Sequence, residues 1–136
     1  MGMAIWDFQT ALYNRLVANT TLTALVDADH IHDHVPTKES YPFVVVGDDM
    51  STEWDTKGRN GEELAVQIHV WDQNPGLKWT KQILQAIYAA LHNVELTLGV
   101  DYHNVLLQYV GSQTFVEPDN VTRHGVIRFR ALIEEV

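Results

Sequence analysis

Residues 64–72 read Leu-Ala-Val-Gln-Ile-His-Val-Trp-Asp, which sets Leu64, Val66, Ile68 and Val70 on one side and Ala65, Gln67, His69 and Trp71 on the other. A period of two is the signature of a strand with one face against a core. Just before it, "KGRNGEE" holds two glycines and an Asn60-Gly61 pair, the strongest short-range hairpin signal. Upstream, "FVVVGDDMSTEWDT" reads as a strand buried at its start and polar toward its end. The two runs predict a long antiparallel hairpin whose tip, near residues 52–62, projects beyond the core.

The other elements fall around that hairpin. Ile5, Phe8, Leu12 and Leu16 are at helical spacing over residues 4–18. Asn19 or Thr20 caps a short second helix that holds Leu22, Leu25 and Val26. A histidine-rich strand follows, closed by Pro36, then a "TKES" loop and Tyr41-Pro42, a pair that favours extended backbone. Asn74 as cap and Pro75 at the first position open a helix that runs to about His92, with Ile83 or Leu84, Ile87, Tyr88 and Leu91 as its buried stripe. Strands at 103–116 and 122–134, joined at "EPDN", form a second hairpin. Val105, Leu107 and Tyr109 share a face of the first, and Ile127, Phe129, Ala131 and Ile133 share a face of the second.

Helices outside a run of hairpins indicate an α+β fold: an antiparallel sheet of two long hairpins, helices packed on one face, one hairpin projecting. With 136 residues and no internal repeat or linker, residues 1–136 make one domain. The chain has no cysteine, so it holds neither disulfides nor thiolate metal sites. No apolar run approaches the ~18 residues of a membrane span. The N-terminus lacks a signal-peptide pattern, and Trp6 replaces the Ser or Thr of a myristoylation motif. The expectation is a soluble protein, intracellular at synthesis, with no membrane partner.

The formal net charge is −9. A protein that grips nucleic acid through its phosphates needs clustered Lys and Arg. Here the only basic cluster is Arg123, Arg128 and Arg130, the last two on one face of a strand. The balance disfavours a DNA binder and suits a surface past which DNA slides.

Two constellations invite a chemical reading. In "HIHDHVP", His30, His32 and His34 would line one face of a strand, where three imidazoles suit zinc or a neighbouring metal. The string is one residue short of the HxHxDH of metallo-β-lactamase-like hydrolases, which turns Asp33 to the wrong face. Surface or pairing histidines are the simpler reading, and no metal or other cofactor is expected. Trp54 is the second, because it stands in the polar outer half of the hairpin. It is either an interface anchor of the aromatic kind or a ring folded back across its own sheet. No nucleophile motif, phosphate loop or Rossmann glycine pattern is present.

In order along the chain, "ALYNRLVANTTLTALV", "IHDHVP", "YPFVVVGDD", "DTKGRNGEELAVQIHVWD", "IYAALHN" and "TRHGVIRFRAL" resemble a family of small tailed-phage proteins. These are tail completion or tail terminator proteins, found also in prophages and gene transfer agents. The resemblance implies a structural protein of the virion, assembled in the host cytoplasm and lacking enzymatic activity. Its members look like subunits of a hexameric ring on the head-proximal end of the tail tube, partnered by copies of themselves, the tail tube protein and a head connector or stopper protein. DNA would cross the lumen without specific binding. The matching hairpin residues Asp55, Thr56, Lys57, Gly58 and Arg59, with Trp54, become candidate contacts to a neighbouring subunit or the tube. Alternative readings are a head-tail adaptor or stopper, and a metal-dependent enzyme using His30, His32 and His34.

Overall fold

The computed structural model describes residues 3–38 and 40–136. Met1, Gly2 and Glu39, the last within the expected "TKES" loop, lie outside the described residues. Helix α1 (Ile5–Ala18) buries Phe8, Leu12 and Leu16, the stripe its spacing dictates. Asn19 caps α2 (Thr20–Thr23), its side-chain oxygen accepting the Leu22 N–H at 2.9 Å. A 3₁₀ turn (Ala28–His30) leads to β1 (Ile31–His32). Then come β2 (Phe43–Glu53), β3 (Gly61–Asp72), α3 (Lys78–Leu91), β4 (Tyr102–Val116) and β5 (Arg123–Glu135).

Among the described residues the strands form one sheet in the order β1-β2-β3-β5-β4. The β2–β3 and β4–β5 hairpins join through the β3–β5 pair, which runs from Gly61↔Glu134 to Asp72↔Arg123. The sheet is mixed, because β1 pairs parallel to β2 at Val44 and Val45. Alternation in β3 and β5 sends Leu64, Val66, Ile68, Val70, Ile127, Phe129, Ala131 and Ile133 into the core beneath the helices. From α3, Ile83, Ile87 and Leu91 meet them, fully buried. No described helix is long and apolar enough to cross a membrane.

Local departures from the sequence reading have identifiable causes. Helix α3 starts at Lys78 rather than at Asn74-Pro75. Gly76 takes φ +76°, and the Asp72 carboxylate accepts both the Asn74 N–H and its side-chain amide, which withdraws Asn74 from capping. Tyr88, placed in the buried stripe, is 40% exposed and stacks on His92. A bulge between Asn104 and Leu106 turns Val105 outward, so it does not share the face of Leu107 and Tyr109. The hairpin reverses at Lys57-Gly58, with Gly58 at φ +83°, instead of at Asn60-Gly61. Gly61 and Glu62 already pair with β5, so the overhanging tip is residues 54–60, shorter than expected.

Candidate assembly interface

The sequence-predicted residues Trp54 to Arg59 all fall on that tip. Thr56 and Arg59 exchange two backbone hydrogen bonds of 3.0 Å around Lys57-Gly58, where positive φ is cheap only for glycine. Asp55 Oδ1 accepts the Gly61 N–H at 2.9 Å and locks the base of the turn. On the β5 side the Asn60 carbonyl accepts the Glu135 N–H at 2.9 Å, and Arg59 lies 3.8 Å from the Glu134 carboxylate. Residues 55–60 are exposed, whereas Trp54 is half-buried over Gly61. Trp54 therefore folds back over its own hairpin and stiffens it; the exposed cations Lys57 and Arg59 are the groups the tip offers outward. A hydrogen bond and like charge from Asp55 push the Glu53 carboxyl above its ordinary 4.5.

The histidine stretch does not make the strand face expected of it. His30 ends the 3₁₀ turn, only Ile31 and His32 are strand, and His34 lies in the bend beyond. His32 packs 5.9 Å from His34 and 6.3 Å from Phe43, ring to ring. Burial, then the charges of His34 and His30, lower its pKa from 6.5. Among the described residues no three His, Cys, Asp or Glu side chains are placed to hold a metal ion. Ile31 and His32 pair with Val44 and Val45 of β2.

Two histidines far apart in sequence, on strands of different hairpins, are brought together by the β3–β5 register. His69 Nδ1 and His124 Nε2 are 2.9 Å apart, although 55 residues separate them in sequence. The pair is bracketed by carboxylates: Asp48 at 3.2 Å from His69 Nε2, and Glu117 at 2.8 Å from His124 Nδ1. Asp48, itself exposed, meets His69 from a β2 bulge where its φ is +54°. Trp71 stacks on the His124 ring at 3.7 Å. A neutral His124 donates Nδ1–H to Glu117 and accepts at Nε2 from His69 Nδ1–H; His69 then donates to Asp48 only as imidazolium. The sequence signal for this cluster was the same-face placement of His69 and Trp71, which names no partner on another hairpin.

Burial lowers the His124 pKa below 6.5, outweighing Glu117, which raises it, while His69 adds to the lowering. An unfolded chain binds this proton more readily than the folded one, so stability is fully present above about pH 6.5 and declines as pH falls from there to the folded pKa. Thermal melts should show the midpoint dropping between pH 7.5 and 5.5, with a shallower drop in His124→Gln. An equally steep drop in that variant would assign the effect to other groups.

The sheet face away from the helices carries Met50, Ala65, Gln67, Arg128 and Arg130, lining a groove of about 640 Å³ with Asp48, Asp49 and Glu63. Arg130 pairs with Glu63. Carboxylates and guanidinium groups are thus interspersed on this face.

The described residues form a five-stranded α+β domain with helices on one face of the sheet and an exposed, braced hairpin. The chain is a member of the tail completion protein gp17 family, whose model matches residues 10–134, and so is a structural protein of the phage tail. Tail completion protein gp17 of Bacillus phage SPP1 is 30% identical over 95 residues, 70% of this chain and 69% of that one. The solved structure of SPP1 gp17 matches with TM-score 0.63 at 26% identity, covering 96% and 95% of the two chains. A chain in the virion of a native gene transfer agent particle has the same fold, with TM-score 0.88 at 24% identity over 98% and 99%.

Proposed function

We propose that this protein forms a ring, with six copies as the leading stoichiometry, on the head-proximal end of the tail tube. There it ends tube polymerisation and offers the surface that joins the filled head. The observation that carries this reading is the match of the gp17 family model to nearly the whole chain. Likeness to a chain of a gene transfer agent virion supports a place in the particle, after assembly from tail and head proteins in the host cytoplasm. The braced hairpin supplies one patch of a head-to-tail contact, in which unlike surfaces of successive copies meet. A net charge of −9 lets DNA traverse the lumen without adhering.

Light scattering with negative-stain imaging of untagged protein tests this. Six subunits of 15.5 kDa make about 93 kDa, and the expected species at that mass is a ring with an open lumen. A protein that is monomeric at every concentration, and that isolated tail tubes fail to recruit, refutes the reading. Recruitment by head connectors but not by tubes would make it an adaptor or stopper. Trp54→Ala, which loosens the tip, and the pair Lys57→Glu, Arg59→Glu, which reverses its charge, should each weaken association by ~1–2 kcal/mol, about 5- to 30-fold, while the melting temperature of the monomer changes little because the tip overhangs the sheet. Undiminished ring yield in both variants would remove the hairpin from the interface.

A further inference from the structure

We infer that successive copies join by antiparallel pairing of the β4 edge of one, residues 110–116, with the β2 edge of the next, residues 47–53. This deepens, and rests on, the ring reading above.

Both sides of the sheet end in bare backbone among the described residues. On one side β1 covers β2 only at Val44 and Val45, which leaves 47–53 without a partner strand. On the other side β4 is covered as far as Tyr109. The Leu107 carbonyl accepts the Asn93 N–H at 2.9 Å, Asn104 Oδ1 accepts the Leu96 N–H at 3.0 Å, and His92 Nδ1 accepts the Tyr109 N–H at 3.2 Å. Beyond a bulge at Val110 that cover stops. A row of unpaired N–H and C=O groups is a template for another strand unless charge or proline blunts it. Residues 110–116, Val-Gly-Ser-Gln-Thr-Phe-Val, contain neither.

Charge disfavours one of the two like pairings. Residues 47–53 carry Asp48, Asp49 and Glu53, so two β2 edges would set acid against acid, which disfavours like pairing. The uncharged β4 edge accepts the acidic one without that conflict. Strand direction agrees: β2 opposes β3, β3 opposes β5 and β5 opposes β4, so a sheet continued by rotation meets β2 antiparallel to β4.

The bare stretches also lie at opposite ends of the sheet. The β2 stretch is level with β5 residues 128–133, and the β4 stretch with 123–128. Joining them displaces each copy along the strand direction, and such a stagger is what closing a sheet into a ring requires. Matching centre to centre sets Met50 against Gln113. Both are exposed, and the pairings Met50↔Ala65↔Arg130 and His69↔Val126↔Gln113 put them on the same uncovered face.

The chain has no cysteine, so introduced ones report this contact alone. Met50→Cys and Gln113→Cys variants would be oxidised separately, as a mixture, and combined in one chain; Gly111→Cys and Phe115→Cys, each mixed with Met50→Cys, cover a register shifted by two. Directly opposed residues lie within reach of a disulfide. The expected result is a mixed disulfide exceeding either like dimer by about tenfold, the ratio set by a pairing preference of ~1.4 kcal/mol. The double variant should give a ladder that ends in a closed ring. Rings that form without a mixed disulfide at any of the three registers, or like dimers that predominate, overturn edge pairing and leave the ring reading standing. Wild-type protein that forms no ring, either alone or on isolated tail tubes, with no mixed disulfide, removes both.

Discussion

Phe129→Ala should lower the free energy of unfolding by about 3–5 kcal/mol, the usual cost of emptying an aromatic site in a close-packed core. Phe129 is 1% exposed, sits on the interior strand β5, and meets Tyr109 edge-on with ring centres 6.2 Å apart. It pairs with Val66 on one side and Tyr109 on the other, so the void opens between both hairpins. Domains of this size have about 5–15 kcal/mol in total, so the loss is a large share of the fold. Chemical denaturation should show an earlier midpoint at unchanged slope. Val105→Ala is the matched control: it also removes apolar atoms, but from a bulge residue 44% exposed, and should stay within about 0.5 kcal/mol. Equal costs at the two positions would contradict the burial pattern on which the core rests.

Gly61→Val should be the second most damaging change, and its damage should be local. A Cβ at position 61 would stand 2.1 Å from the Trp54 carbonyl oxygen and 2.9 Å from its ring. The oxygen is backbone, so no side-chain rotation relieves the clash, and the hairpin must open. Overpacking of this kind costs about 1–3 kcal/mol. What it releases is the tip itself, through the 3.0 Å bond from Trp54 N–H to the Gly61 carbonyl and the Asp55 bridge. Amide exchange should accelerate across residues 54–60, Trp54 emission should shift toward that of a solvated indole, and ring formation should fall more than global stability does. Unchanged exchange at the tip would show that the hairpin tolerates the extra carbons, and would undercut the proposal that it is a braced contact.

The two predictions separate what was legible in the chain from what was not. Buried Phe129 and the faces of β3 and β5 followed from alternation, because side-chain direction in a strand is set by the pleat and needs no knowledge of the partner strand. The order of elements and the presence of the first hairpin were legible for the same reason, though its tip, expected near residues 52–62, is residues 54–60; the resemblance to tail completion proteins rested instead on particular stretches such as "DTKGRNGEELAVQIHVWD" and "TRHGVIRFRAL". The detail at Gly61 was not. The Asn60-Gly61 pair signalled a turn, but the chain reverses at Lys57-Gly58 and uses Gly61 for its missing side chain, to let the Trp54 backbone approach. Asn74 likewise resembled a cap until Asp72 captured it from two residues away.

For this protein the sequence by itself determined which residues are apolar at which period, and hence an α+β domain with two hairpins, a helical cover and an acidic surface. Tertiary structure alone decided the rest: the meeting of His69 and His124, the outward turn of Val105, the fold of Trp54 over its own hairpin, and the two bare edges at opposite ends of one sheet. Periodicity is local, encoded within a few residues by backbone geometry. Register, bulges and edge exposure arise when strands dozens of residues apart pair, and no short stretch of sequence carries that information.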